Sequence, residues 1–308
     1  MARRLRFIPS GALVEVTCRT IQGRFLMRPT GELRDIIVGV LGRAQRLYHI
    51  QIQAFIFLSN HYHLLVTADS ALQLAQFMCF VNSNIAREAG KLSRWREKFW
   101  SRRYEAIVVS GEESAQLNRL RYLLSNGCKE GLFESPRQWP GAQVATALLD
   151  GVRRLEGRWF DRTKEYESSR KGQPSSSSAP EFVTLSPLPC WKNLDPGEIR
   201  RRVKRLVREI EIETASQHQR EGTSPQGIDS VLGRDPHDRP DEFRRTPAPR
   251  FHAATRTARR QLQAAYAQFV ELYREGVRRF EAGEYPVSFP EGSFPPRLPF
   301  ASPSRAPA

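Results

Sequence analysis

The stretch 50–67, IQIQAFIFLSNHYHLLVT, constrains this chain more than any other. Two apolar runs flank Ser59-Asn60, the pattern of two strands joined by a tight turn. Ile52, Ala54, Ile56 and Leu58 alternate along the first run. In the second, Tyr62, Leu64 and Val66 fall on one face and His61, His63 and Leu65 on the other, because successive strand residues point to opposite faces. His61 and His63 therefore project side by side, a metal-binding geometry. Six histidines occur in the chain, and two of them stand on one face of an otherwise apolar strand. The ordinary alternative is a polar surface pair.

Other elements gather around this hairpin. Residues 12–20 read as a half-buried strand with Val14, Val16 and Cys18 inward, alternating with Leu13, Glu15 and Thr17. Residues 30–48 switch to helical spacing, with Leu33, Ile36, Ile37, Val40, Leu41 and Ala44 as an apolar stripe. A second helix is predicted over 71–89, a strand over 104–110, and a third helix over 112–131 with a glycine at its C-cap. The order strand, helix, strand, strand, helix, strand, helix predicts an α+β, ferredoxin-like fold. Its antiparallel sheet carries helices on one face, plus an extra helix. That last helix turns Leu117, Leu120, Leu124 and Cys128 inward. Tyr122 and Asn126, four residues apart, are neighbours off that stripe.

Residues 1–145 thus read as one domain, long enough for its own core. Residues 146–190 read as a linker: one more helix is predicted over 142–155, and EYESSRKGQPSSSSAP (165–180) has a flexible composition. Residues 191–285 read as a basic helical region. Asp195-Pro196-Gly197-Glu198 is a helix start. Ile199, Val203, Leu206, Val207 and Ile210 form its apolar face, surrounded by arginines and Lys204. A second long helix is predicted over 259–282, and the proline- and arginine-rich 233–253 between the two as irregular. The tail, 286–308, is too proline-rich for helix or central strand. The C-terminal extension is expected to be helical and partly disordered.

A net charge of +15 favours polyanionic partners, nucleic acid before an anionic membrane, and says nothing about fold. The cysteines Cys18, Cys79, Cys128 and Cys190 show no CxxC spacing, as in a reduced, intracellular protein. No apolar run has transmembrane length, and the basic N-terminus turns polar too soon for a signal peptide. The expected compartment is the cytoplasm, with the nucleoid reached through DNA.

Two strand histidines and a helical amide suit a divalent ion with positions left open for water or a phosphate oxygen, Mg²⁺ or Mn²⁺ better than a closed zinc site. A tyrosine hydroxyl one helical turn from a ligand is placed to attack a phosphate bound there. At this point the sequence resembles a known family. SNHYHLLV is similar to the histidine–hydrophobic–histidine signature of the HUH nucleases, in the form found in the REP-associated tyrosine transposases. FWSRRYEAIVV (99–109) and RYLLSNGCKEGL (121–132) resemble that family's next two motifs, in the same order. The resemblance covers roughly residues 4–141. It implies Tyr122 as the single nucleophile and His61, His63 and Asn126 as ligands of Mg²⁺ or Mn²⁺. It implies cleavage of single-stranded, hairpin-associated DNA through a 5′-phosphotyrosine intermediate, followed by rejoining, without ATP. Gly127 departs from the family, which has proline after the asparagine.

Arg94, Arg96, Lys98, Arg102 and Arg103, interleaved with Trp95, Phe99 and Trp100, are candidates for tracking a DNA backbone and stacking bases. The tryptophans could equally be core. Two other readings stand beside the transposase: a domesticated DNA- or RNA-binding protein without cleavage, and a zinc hydrolase, which would need a carboxylate that these motifs do not offer. A homodimer is left open.

Overall fold

The computed structural model describes residues 5–173, 177–241 and 249–296. Its centre is a five-stranded sheet in the order β2-β3-β1-β4-β7. Four strands form the expected antiparallel core: β1 (Leu13–Arg19), β2 (Gln51–Phe57), β3 (His61–Thr67) and β4 (Glu105–Val109). β1 pairs with both β3 and β4. A bulge between Ile52 and Ala54 shifts the register of β2.

Helices α1 (Gly31–Tyr48) and α2 (Ala71–Leu92) pack together on the face that carries Tyr62. The Tyr62 hydroxyl donates to Asn82 Oδ1 of α2 at 2.7 Å. Both helices start where their caps dictate: Thr30 Oγ1 accepts from Leu33 N, and Ser70 Oγ from Gln73 N. α3 (Glu113–Leu124) and the short α4 (Asn126–Lys129), which break at Ser125 the single helix read from the sequence, lie against the opposite face. With both faces covered, all of β2 except Gln51 is buried. Its outer edge is met by passing chain, with Phe57 N bonded to Ala142 O and Ser186 N to Ile52 O.

The helix expected over 142–155 shrinks to α5 (Ala145–Asp150), ended by Gly151 in the left-handed region. The stretch beyond is not an unstructured linker among the described residues. β5 (Arg154–Phe160) and β6 (Ser178–Thr184) form an antiparallel hairpin, with α6 (Arg162–Arg170) inserted between them. The hairpin docks on α1 through glycines. A Cβ on Gly39 would lie 2.3 Å from the Arg158 backbone, and one on Gly42 would lie 2.8 Å from the Phe182 backbone. Trp159 stacks on Phe80 of α2, and Glu181 pairs with Arg43 and Arg46. Composition hid this because the strands carry few buried apolar side chains and make their closest approach to α1 through backbone.

The basic helix, α7 (Pro196–Glu221), is capped by Asp195 as expected and buries Val203, Leu206, Val207 and Ile210. α8 (Gly227–Gly233) follows it. Within the segment read as irregular, Phe251–His252 form β7, which pairs in parallel with β4 and makes the sheet mixed. α9 (Arg256–Glu281) then packs Tyr266 and Phe269 against Phe7. Residues 297–308 of the proline-rich tail lie outside the described residues.

Candidate active site

His61 and His63 lie on the face of β3 away from α1 and α2, their ring centroids 5.2 Å apart. Pairing with β1 sets Arg19 opposite His61 and Thr17 opposite His63. Each imidazole is held by one nitrogen. His63 Nδ1 donates to Glu15 Oε1 at 2.9 Å, and His61 Nδ1 to Asn60 Oδ1 at 2.6 Å. Each Nε2 is thereby left as the nitrogen that could ligate a metal, the arrangement in which an outer hydrogen bond fixes tautomer and ring orientation. Burial, then the electrostatic influence of His63, Arg19 and Lys129, pushes the His61 pKa well below its ordinary value. The neutral ring is the form that binds a metal.

α3 brings Tyr122 to this face. Leu120, Leu123 and Leu124 are buried and fix the helix, which leaves Arg119 and Tyr122 in one row toward the histidines. The Tyr122 ring stands edge-on to His63, with centroids 5.3 Å apart. Arg119 Cζ and Lys129 Nζ each lie 4.4 Å from the centre of the Tyr122 ring. Asn126 is buried one turn later. Its amide nitrogen donates to the Tyr122 carbonyl at 2.9 Å and the Leu123 carbonyl at 3.3 Å, which leaves Oδ1 as the atom with which it could ligate.

The residues present fit a divalent ion held by two imidazoles. Among the described residues no group of three or more His, Cys, Asp or Glu side chains is placed to hold a metal. The remaining positions of such an ion would therefore fall to an amide oxygen, water or a phosphate oxygen, a mixed set that suits Mg²⁺ or Mn²⁺.

Three polar neighbours of this site were not read from the sequence as part of it. Glu15 faces the histidines from the centre of β1, its side chain 4% exposed. Its Oε2 lies 3.2 Å from Arg119 Nη1 and 2.7 Å from His252 Nε2. Burial alone would raise the Glu15 carboxyl. Hydrogen bonds from His252 and His63 and the charge of Arg119 outweigh it and hold the group well below the usual carboxylate range. Glu15 was legible: a carboxylate in mid-strand between Val14 and Val16 needs a partner if it is buried. Arg119 was too, three residues before Tyr122 on a helix. His252 was not, since a two-residue strand carries no periodicity.

The basic cluster lies beyond α2. Arg94, Arg96, Lys98, Arg102 and Arg103 are all exposed, with Arg94 in the left-handed region and Arg102 paired to Glu105. Its aromatic residues are occupied by protein. Phe99 is buried, and Trp100 donates to Asn82 O and stands edge-on to Tyr62. Trp95 contacts Arg24 and His237.

Residues 27–123 match the model of a family described as "Transposase IS200 like". This segment, which holds both histidines and Tyr122, is similar to the IS200-like transposases over about a third of the chain. The resemblance to REP-associated tyrosine transposases read from the motifs is borne out at the level of that family. Among solved structures, the chain is similar to a REP-associated tyrosine transposase bound to a REP hairpin, at 14% identity and TM-score 0.41, covering 49% of this chain and 86% of that one. It is also similar to a presumed transposase from Deinococcus radiodurans, at 16% identity and TM-score 0.28, covering 39% and 95%. No curated protein sequence matches the chain. No helix among the described residues is long and apolar enough to cross a membrane.

Proposed function

We propose that this chain is a metal-dependent single-strand DNA endonuclease and strand transferase acting on hairpin-associated DNA, with Tyr122 as nucleophile. The observation that carries this reading is the Tyr122 ring set 5.3 Å from the ring of a histidine whose Nδ1 is already bonded. The Tyr122 oxygen attacks the phosphorus of a scissile phosphodiester, the bond to the 3′-oxygen breaks, and the released strand ends in a 3′-OH. The phenolic proton passes to water as the O–P bond forms, and the departing 3′-oxygen takes one up from water, so the step is balanced in protons. The 5′-phosphotyrosine conserves the bond energy, so a second 3′-OH can attack it, regenerate Tyr122 and reseal DNA without ATP. A divalent ion held by His61, His63 and Asn126 would supply Lewis-acid polarisation of that phosphate. Arg119 and Lys129, on the Tyr122 ring, put positive charge where the phosphate would approach. The exposed run Arg94, Arg96, Lys98, Arg102 and Arg103 is proposed to follow the DNA backbone.

Glu15 supplies the carboxylate that a water-using hydrolase would need, but it is bonded to His63 Nδ1, the ring nitrogen opposite Nε2. That favours a role behind the imidazole over one as general base.

The test incubates end-labelled single-stranded hairpin DNA with the protein and Mn²⁺, followed by a denaturing gel. Wild type is expected to give a protein–DNA band that survives denaturation, and Tyr122→Phe none. Cleavage by Tyr122→Phe would show that water is the nucleophile. Binding with no adduct on a broad hairpin library would favour a non-cleaving binding protein.

A further inference from the structure

We propose that Glu15 and His252 form a positioning relay behind His63, so that the C-terminal region supplies a working part of the cleavage site. The inference rests on the proposed function for what His63 does, and on separate geometry for what holds it. Glu15 uses both carboxylate oxygens. Oε1 accepts from His63 Nδ1 at 2.9 Å, and Oε2 accepts from His252 Nε2 at 2.7 Å and Arg119 Nη1 at 3.2 Å. His252 Nε2 also lies 3.2 Å from Arg119 Nη1. A ring nitrogen carries either a proton or a lone pair, so the shorter approach to the carboxylate assigns the proton to His252 Nε2.

The C-terminal region does not brush this site; it is built into it. Val108 and Val109 pair with Phe251 and His252, and Ser110 N donates to His252 O at 2.8 Å. Just beyond, the Glu112 carboxylate accepts from Ala254 N at 2.8 Å and Thr255 N at 3.4 Å. Phe251 is buried against Phe7 and Tyr266. With the backbone fixed on both sides, the His252 ring is set against Glu15. Glu15 in turn is 4% exposed and without those donors would stand buried and partly unpaired.

His252 and Glu15 are positioning residues: they touch neither DNA nor metal in this proposal, and act by fixing the proton of His63 on Nδ1 and the lone pair on Nε2. Removal of such an outer partner typically weakens metal affinity about 10- to 100-fold.

The test uses the full-length chain without DNA. Long-range ¹H–¹⁵N spectra of histidine-labelled, metal-free protein read the His63 tautomer. Calorimetric titration with Mn²⁺ alone reads affinity, and circular dichroism checks folding. His252→Ala is expected to bind Mn²⁺ roughly 10-fold more weakly and to leave His63 as a mixture of tautomers. His252→Asn, which keeps an N–H donor, is expected to recover most of both. Should His252→Ala fail to fold, Glu15→Gln takes its place with the same expected weakening. Wild-type affinity and a single, unchanged His63 tautomer in the folded variants would overturn the relay. Neither readout involves strand cleavage, so a Tyr122→Phe enzyme that still cut DNA would sink the proposed function and leave the relay standing. A wild type that takes up no Mn²⁺ would count against the metal, with the tautomer alone then deciding the relay.

Discussion

At the scale of single residues, the site and the packing follow different rules of legibility. His61, His63 and Tyr122 could be placed from sequence because strand and helix periods fix which side chains share a face. Glu15 belongs to the same face, and although a lone acid in a strand is easily read as the solvent side of an alternation, its place between Val14 and Val16 was the available sign of burial. Glycines show a similar split. A Cβ on Gly157 would lie 2.3 Å from Gly39 N and 2.6 Å from Asp35 O, backbone atoms that cannot turn aside. Gly157→Ala is therefore expected to cost about 1–3 kcal/mol or more, by overpacking. At Gly127, where the family has proline, an added Cβ would meet only ring carbons of Phe133 and Trp139 at 3.7 and 3.8 Å, ordinary contact. Gly127→Ala is expected to be neutral or to stabilise by up to about 1 kcal/mol, as helix propensity dictates. Thermal unfolding of the two variants side by side checks both signs.

At the scale of elements, α1, α2, β1 to β4 and the tyrosine helix were legible from periodicity, capping and turn residues. The β5–β6 hairpin and β7 were not. In the hairpin the closest approach to α1 is backbone against glycine, and the mid-helix glycines Gly39 and Gly42 were the advance sign of it. β7 owes its place to partners far away in sequence, above all Glu112. Hydrogen bonds from Thr255, Ser110 and the Ala254 backbone lower the Glu112 pKa from an ordinary value of 4.5 to about 2. A depressed carboxyl contributes stability fully above its unfolded value and loses it as pH falls. The anchoring of β7 is thus expected to be intact above about pH 4.5 and to weaken between there and about pH 2. Amide exchange should show His252 and Thr255 losing protection across that window, and Glu112→Gln should show the same loss already at pH 7. Equal protection in the variant would mean that Phe251 packing alone holds the strand.

For the whole molecule, the net charge of +15 is distributed with purpose. On α7, Arg201 and Arg202 share Glu198 and Arg202 also pairs with Glu113, while Lys204, Arg205 and Arg208 stay exposed. Nearer the sheet, Arg94, Arg96 and Lys98 project from the turn after α2. If these three meet phosphates, replacing them by alanine should flatten the plot of log affinity against log salt for single-stranded DNA by roughly 2, at about 0.7 per contact. Fluorescence anisotropy over a salt series measures the slope, and an unchanged slope would remove this run from the DNA path.

The parallel pairing of β7 with β4 also bears on the order in which the protein is made. Chains leave the ribosome N-terminus first, and domains begin folding as they emerge. β1, β3 and the tyrosine helix are translated long before Phe251 and His252, so a nascent chain holds His61, His63 and Tyr122 while β7 is still unwritten. With the relay in place, the proposed strand transferase reaches full competence only once β7 has been made, and a message cut short before β7 yields a protein whose His63 is poorly held.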